Sequence, residues 1–573
     1  MKIRQLRIHN FRSIIDADIE VHDYTMLVGA NNAGKSNLFC ALRAFYEDIK
    51  FSADDFPKVG TSDQESWVEI TFELDDKECE GLADKYRNSD KCLTVRRYFA
   101  SSVKEVKSTN SNIYAVVNGT ADNDLFYGAK NVSTAKVGKL IYIPALTTAA
   151  EQMKTTGPSP LREMLNFMLK RVMAGSTAYN ELELAFKKLD EESRGDNGFL
   201  SKISGPINHA IAHWDVQFDM GINPISPEEI TKNLVRHGFV DAMLGSSVFA
   251  LERYGHGFQR SFLYELLKLA PTFEEVKSAP KKEFDPDLTL ILFEEPEAFL
   301  HPSQQENMSY HLRSIGQQKT SQVLITSHSP LFAGKAADSL SQIVRVGRTK
   351  GVSTVSQIKR EALTNVFGEG AALITALKAF VADEQVPHAA KKAAIAMLES
   401  APEKDEVALQ EERFRYQLWL DSERSAMFFA DRVLLVEGAT ERALFSYLLA
   451  REWHDLTLKR ICIVDVLGKY NFHRYMSLLD GFSIPYGLIL DDDNGKNHHK
   501  AVNDMLANLP NVSRLAEPVL IPDCLERFLD TDLPGRDDKK PVEILKALEA
   551  GSIEASKIAA LRELVERSLD IQG

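Results

Sequence analysis

The alternation of apolar and polar residues predicts strands at IRQLRIHNF and DADIEVHDYTMLVG, followed by a glycine-bearing turn and a helical run, SNLFCALRAFYEDI. Residues 66–74 (SWVEITFEL) alternate again, whereas 104–135, rich in Asn, Ser, Thr and Gly, predict hairpins and loops. A short apolar strand, KLIYIPAL, precedes a charged segment of helical period from Pro158 to Leu200 that has the character of an insertion. Strand patterns return at 214–222 (WDVQFDMGI), 288–293 (LTLILF) and 322–327 (QVLITS). Residues 360–425 are Ala/Lys/Glu-rich and helical in period, and their charge reads as a solvated helix face in preference to a nucleic-acid arm. A second alternating α/β unit runs through RVLLVEG (432–438), RICIVDV (460–466) and YGLILDDD (486–493). Two α/β units joined by helices is the predicted architecture.

At 573 residues the chain is too long for one core and predicts roughly three to four domains. A hydrophobic content of 44% with 26% charged residues excludes a disordered or fibrous chain. The net charge of −14 argues against a surface that binds phosphates throughout, but leaves room for a local basic groove. Five scattered cysteines without a CxxC predict neither a disulfide framework nor a zinc ribbon. Apolar runs such as Leu290–Phe293 are too short to span a bilayer, and the N-terminus lacks a signal-peptide apolar region. A soluble, cytoplasmic protein without membrane attachment is the expectation.

Gly29-Ala-Asn31-Asn32-Ala-Gly34-Lys35-Ser36 fits G-x-x-x-x-G-K-[ST] and sits between a predicted strand and helix. Such a loop turns backbone N–H groups inward around phosphates; Lys35 would neutralise their charge and the Ser36 hydroxyl would hold Mg²⁺. The apolar strand LTLILF delivers Glu294 and Glu295 to one edge, where one acid can serve the Mg²⁺ shell and its neighbour polarise water. Another strand ends at His328, predicted to lie beside the γ-phosphate, although a lone histidine is often only a satisfied core or surface residue. Tyr254-Gly-His-Gly257-Phe-Gln259-Arg260 precedes a helix, and its glycines would let a helix N-terminus approach an anion. In this order, these motifs resemble the ABC-type ATPases of the SMC and RecF kind. That resemblance implies ATP as cofactor, with Arg12 of the opening NFRS contacting the nucleotide. It also implies Glu294 as the Walker B acid, Glu295 as hydrolytic base and His328 as switch histidine. The Gly257–Gln259 signature loop would act across a head-to-head dimer. The sequence departs from the pattern with Glu294 for the usual Asp and Gly255/His256 where a serine is expected, both bearing on hydrolysis and not on binding.

The second unit carries acids. Glu437, followed by Gly438, ends a strand, Glu441 returns to the same side at the start of a helix, and Asp491-Asp492-Asp493 end another strand. Carboxylates so placed repel one another unless a cation neutralises them, and hard divalent cations prefer several such oxygens. A helix cap or surface turn is the plainer reading of Asp-Asp-Asp alone. His498 and His499, with no cysteine or further histidine nearby, read as a polar loop and not as a zinc site.

Glu-Gly-x-x-Glu followed by Asp-x-Asp resembles the TOPRIM pattern, and an SMC/RecF-like ATPase followed by TOPRIM resembles the OLD (overcoming lysogenization defect) family, which includes anti-phage effectors such as the Gabija nuclease and retron-associated nucleases. The resemblance implies an α/β fold: an ABC-type ATPase head (1–155 and 211–355) with a helical dimerisation insert (156–210), a helical connector (356–425) and a C-terminal TOPRIM domain (426–573). It implies two Mg²⁺ or Mn²⁺ ions, one held by Glu437, Asp491 and Asp493 and a second near Glu441 and Glu526, with Asp523 a further candidate. A catalytic lysine falls on Lys540, with Lys539 an equal neighbour by sequence. The implied activity is ATP-regulated endonucleolytic cleavage of double-stranded DNA by a homodimer or larger assembly, in anti-phage defence, with a helicase or a reverse transcriptase and its DNA as possible partners. A non-cleaving DNA-repair ATPase is the alternative, followed by a topoisomerase- or primase-type TOPRIM enzyme. The first of these last two lacks a DNA-bending domain with a nucleophilic tyrosine, the second a zinc ribbon.

Overall fold

The computed structural model describes the chain apart from residues 88–89, 131, 133–134, 146–164, 166–167, 170–172, 174–175, 196–197, 215, 223–229, 231–237, 241–242, 244, 246–247, 250–252, 256–257, 260–261, 263–264, 267–268, 270–283, 285, 299, 335–336, 369, 400–404, 494–496, 510 and 572–573. The N-terminal strands are β1 (Lys2–Phe11), β2 (Ile14–Glu20), β3 (Tyr24–Val28), β4 (Ser66–Glu73), β5 (Cys92–Ala100), β6 (Ile113–Val117) and β7 (Thr120–Ala121). Then come β8 (Lys139–Ile143), β9 (Phe239–Val240), β10 (Val248–Phe249), β11 (Thr289–Glu294), β12 (Ser321–Thr326), β13 (Ile343–Thr349) and β14 (Val352–Ser356). The last four are β15 (Arg432–Val436), β16 (Ile461–Asp465), β17 (Tyr486–Asp491) and β18 (Val519–Ile521). Two compact units result: Met1–Leu74, Tyr86–Ala135 and Leu324–Gly573 form one, and Asp75–Lys85 with Lys136–Val323 the other.

In the first unit the strands run in the order β7-β6-β5-β4-β1-β2-β14-β13-β3. The β1–β2, β1–β4, β4–β5 and β5–β6 pairs are antiparallel, whereas β13 lies parallel to β3. Every side chain of β3 is buried, as a central strand covered on both faces requires. The stretch read as one strand, DADIEVHDYTMLVG, is two: His22 and Asp23 interrupt it, and the His22 N–H donates to the Thr25 hydroxyl (3.0 Å). The hairpin expected within 104–135 is β6–β7, turning on Asn118 and Gly119, both at positive φ. Strand β5 was not anticipated, because Arg96 and Arg97 break its apolar run; Arg96 pairs with the buried Glu69 (2.6 Å) and Arg97 caps the carbonyls of Ala44 and Phe45 (3.0 and 2.7 Å).

In the second unit, β8 and β11 pair in parallel, with Ile143 opposite Phe293. Helices Thr177–Arg194 and Phe199–Ile211 occupy much of the segment expected to be an insert. The strand expected at 214–222 does not form among the described residues there. Its backbone groups are taken by side chains instead: Phe218 exchanges hydrogen bonds with Asn208, and the Ile222 N–H donates to Asp190 (2.7 Å). Local capture of this kind competes with a sheet ladder and overrides alternation. No helix among the described residues is long and apolar enough to cross a membrane.

Between 360 and 425 the described residues form the expected helices, Leu363–Gly368, Gly370–Ala382, His388–Glu399 and Asp405–Trp419. The last is tied to helix Phe472–Gly481 by a two-pronged ion pair in which Arg474 Nε and Nη2 each lie 2.5 Å from a Glu412 oxygen. Both residues are buried, so removing one partner strands the other's charge. Glu412→Ala is expected to cost about 3–5 kcal/mol in denaturant unfolding; a loss within experimental error would show the pair to be dispensable.

Beyond these helices β16-β15-β17-β18 form a wholly parallel sheet. Leu434, Val436, Ile489 and Ile521 pack beneath helices that contribute Leu444, Phe445 and Leu561. Parallel strands end on one edge, and the loops leaving that edge can converge on a ligand.

Candidate nucleotide-binding and metal-binding sites

The loop between β3 and helix Lys35–Phe45 owes its shape to two glycines. Gly29 and Gly34 have φ of 138° and 112°, which L side chains rarely adopt. A Cβ on Gly29 would lie 2.1 Å from the Val346 carbonyl oxygen, and one on Gly34 would lie 2.1 Å from Ser353 Oγ. The β13–β14 hairpin therefore packs directly against the loop. Lys35 is buried, and its ammonium donates to the carbonyls of Gly29 (2.9 Å) and Ala30 (3.0 Å). Ser36, Asn31 and Asn32 are exposed. Arg12, also at positive φ, is anchored by Asp55 (2.7 Å) and reaches Asn37 in the first helical turn (3.5 Å). The Ser327 N–H donates to Leu27 O (3.3 Å), so His328 follows directly on a tie to the strand that feeds the loop.

In the second unit Glu294 closes β11 and accepts hydrogen bonds from the Tyr142 hydroxyl (3.1 Å) and the Ala145 N–H (3.5 Å). Glu295 sits at φ 44°, a strained backbone of the sort concentrated at functional sites. Gln259 is buried, with its amide donating to Tyr254 O (2.5 Å). Gly257 lies outside the described residues.

The C-terminal acids collect at one edge of the parallel sheet. Glu437 follows β15, Asp491 ends the adjacent β17, and Asp493 lies two residues on at φ 53°. Glu441 is buried and accepts the Gly438 N–H (3.0 Å), capping its own helix. Glu526 is buried just beyond β18, in helix Leu525–Phe528. Asp491 Oδ1 is enclosed without a hydrogen-bond partner. Burial first, then the charges of Glu441, Glu437 and Asp493, push the Asp491 carboxyl up to about 9. Burial, with Glu437 and Glu526 adding to it, pushes Glu441 up to about 7, against the pull of backbone N–H groups. A cation binding here would expel those protons, so its affinity rises with pH. An unsatisfied carboxylate oxygen amid acids that resist ionising together fits a hard divalent ion.

Among the described residues, no three Asp, Glu, His or Cys side chains yet close around a single point. A lysine stands among these acids. Lys469 has a side chain 1% exposed, and its ammonium lies 2.6 Å from Asp493 Oδ2 and 3.7 Å from Glu437 Oε2. Its one sequence signal was a lysine directly after a glycine, on the loop leaving β16 at the same sheet edge. His499 lies in helix Asn497–Asn508, not in a loop as expected, and its Nδ1 is 2.6 Å from Asp493 Oδ2. Lys540 approaches Glu526 (3.9 Å) as well as Asp537 (2.9 Å), whereas Lys539 is exposed. Asp523 pairs with Arg527, and its backbone carbonyl accepts the Asp493 N–H (2.8 Å).

Residues 1–154 and 162–333 match the family described as AAA ATPase domain, and residues 428–493 match the TOPRIM domain of overcoming-lysogenization-defect-like proteins. The Old nuclease of Escherichia phage P2 is 24% identical over 513 residues, spanning 86% of this chain and 77% of that protein. The OLD nuclease of Thermus scotoductus is 21% identical over 508 residues, covering 86% and 82%. Endonuclease GajA of Bacillus cereus is 22% identical over 529 residues, covering 88% and 78%.

Proposed function

The chain belongs to the AAA ATPase domain family and joins that ATPase to an OLD-like TOPRIM domain, and from this premise we propose that it is an ATP-regulated, divalent-metal-dependent DNA endonuclease. The observation that carries the reading is the convergence of Glu437, Glu441, Asp491, Asp493 and Glu526 on one sheet edge, with Asp491 too crowded by burial and like charge to ionise readily.

Glu437, Asp491 and Asp493 hold one ion, Mg²⁺ or Mn²⁺, and Glu441 with Glu526 flank a second. Two ions would supply positive charge to the scissile phosphate and acidify the attacking water. His499 fixes the Asp493 carboxylate, and Asn503 donates to the Asp491 carbonyl (3.2 Å), so both ligands are oriented from outside the cluster. Lys540 offsets the charge that grows on the phosphate oxygens in the transition state.

In the ATPase part, Lys35 and Ser36 serve the ATP phosphates and their Mg²⁺, and Arg12 borders the nucleotide. Glu294, Glu295 and His328 take the water-polarising and sensing roles implied by the family resemblance, and the Gly257–Gln259 loop acts across a homodimer. Strand β13 ties the P-loop to the C-terminal parallel sheet. Its Arg348 donates to Asn32 O in the P-loop (3.1 Å), and its Arg345 donates to Ser483 O beside β17 (2.8 Å). One strand thus touches the P-loop and the segment entering β17, at the end of that strand opposite the acids. Double-stranded DNA is the substrate we assign. Anti-phage defence, in the company of a helicase or a reverse transcriptase, is the setting that the resemblance to Gabija and retron-associated nucleases supports.

The lysine assignment is tested by a pair of variants. Lys540→Ala should slow cleavage about 10²-fold, comparable to removing one oxyanion donor. DNA binding should weaken little, since one phosphate contact is a small part of a groove. Lys539→Ala should cleave near the wild-type rate. Loss of cleavage in Lys539→Ala alone would transfer the role to that residue.

A further inference from the structure

Lys469 is placed where the divalent ion's own ligands are. Its Nζ lies 2.5 Å from the Asp491 carbonyl oxygen, 2.6 Å from Asp493 Oδ2 and 3.7 Å from Glu437 Oε2. The backbone holds it there. Gly468, at φ 104°, turns the chain after β16, and its N–H donates to the Glu437 carbonyl (2.8 Å), while Val466 N–H donates to Val436 O (3.0 Å). A long flexible side chain is normally solvated; this one is 1% exposed, and only a set of anions can compensate an ammonium buried to that degree. A divalent ion needs several oxygens at roughly 2.0–2.6 Å, and an ammonium already within hydrogen-bond reach of Asp493 occupies part of the same shell.

We propose that Lys469 is a resident counter-ion of the acidic cluster that competes with the divalent cation for Glu437 and Asp493, and so sets the metal concentration at which the nuclease site loads. This rests on the reading of those acids as a metal site. The loop leaving β16 then works as a threshold: at low metal the lysine satisfies the acids, and above it the ion displaces the ammonium from Glu437 and Asp493.

The test is Mn²⁺ binding to the full-length protein without nucleotide, by calorimetry, for wild type, Lys469→Met, Lys469→Gln, Lys469→Arg and the Asp491→Asn/Asp493→Asn double variant. Removing a positive charge a few ångströms from the ion should tighten Mn²⁺ binding about ten-fold in Lys469→Met. Lys469→Gln keeps a hydrogen-bond donor without the charge and should show the same gain, which guards against loss of fold in the methionine variant. Lys469→Arg should stay near wild type. The Mn²⁺ concentration for half-maximal cleavage should fall in the same proportion. A purely structural lysine would give weaker binding in both neutral variants, and weaker or unchanged binding in a folded Lys469→Gln overturns the proposal. If wild type binds Mn²⁺ no better than the double Asn variant, the metal-site reading itself fails, and the competition assigned to Lys469 falls with it; a failure confined to the Lys469 variants overturns the competition alone.

Discussion

Replacing Asp491 and Asp493 together by Asn should lower DNA cleavage by at least about 10³-fold, because several kcal/mol of charge stabilisation at the phosphate leaves with the ion and each ~1.4 kcal/mol is a factor of ten. The substitution at Asp491 should not weaken the fold. Asp491 is a carboxyl held up to about 9 by burial and by the charges of Glu441, Glu437 and Asp493. A group whose native value is raised weakens the native state as pH climbs from its ordinary range toward 9, since ionisation is then easier in the unfolded chain. At Asp491 the amide removes that cost, so at neutral pH and without added metal Asp491→Asn alone should melt no lower than wild type, whereas Asp493→Asn takes the nearest anion from the buried Lys469 and lowers the melting temperature of the double variant. ATP hydrolysis should remain near wild type, because Lys35 and Ser36 stand on the loop after β3, in another sheet. Wild-type cleavage rates in the double variant would remove the C-terminal acids from the active site.

Lys35→Ala has the second largest expected effect. Lys35 is the buried cation of the P-loop, donating to Gly29 O and Ala30 O from the first residue of its helix. Truncation removes the charge facing the β- and γ-phosphates, and ATP affinity should fall by at least about 10²-fold. It also takes a donor from the Gly29 carbonyl, a cost of about 1–3 kcal/mol if that group stays buried, while the Ala30 carbonyl keeps the Ala33 N–H (3.2 Å). Circular dichroism should therefore show a folded protein while calorimetry shows no tight ATP binding; unchanged affinity would contradict the P-loop assignment. Mn²⁺ binding at the C-terminal acids should persist.

The parts of the site that were legible in the sequence share one property: local sequence dictates their geometry. Gly29 and Gly34 announce a loop that only glycine can make, and β15 and β17 read as apolar strands whose next residues are acids. Strand ends of a parallel sheet then bring Glu437 and Asp491 together without further information. What stayed illegible depends on contacts between distant segments. Lys469 looks like any loop lysine until the Gly468 N–H binds Glu437 O and folds it under the acids. Lys539 and Lys540 are equivalent in sequence, and the turn before helix Lys540–Glu549 directs Lys540 toward Glu526. The link through Arg345 and Arg348 requires the pairing of β13 with β3, which no local pattern reveals. The alternation at 214–222 gives no strand among the described residues, where Asn208 and Asp190 take backbone groups of Phe218 and Ile222.

The most direct test of the account is to incubate the purified full-length protein with supercoiled plasmid, with Mg²⁺ or Mn²⁺ and then with chelator, and to resolve the products on a gel. Nicked and linear DNA should accumulate with the metal and be absent with chelator and in the Asp491→Asn/Asp493→Asn variant. Plasmid that stays supercoiled in metal, or changes linking number without strand breaks, would contradict a nuclease at this site.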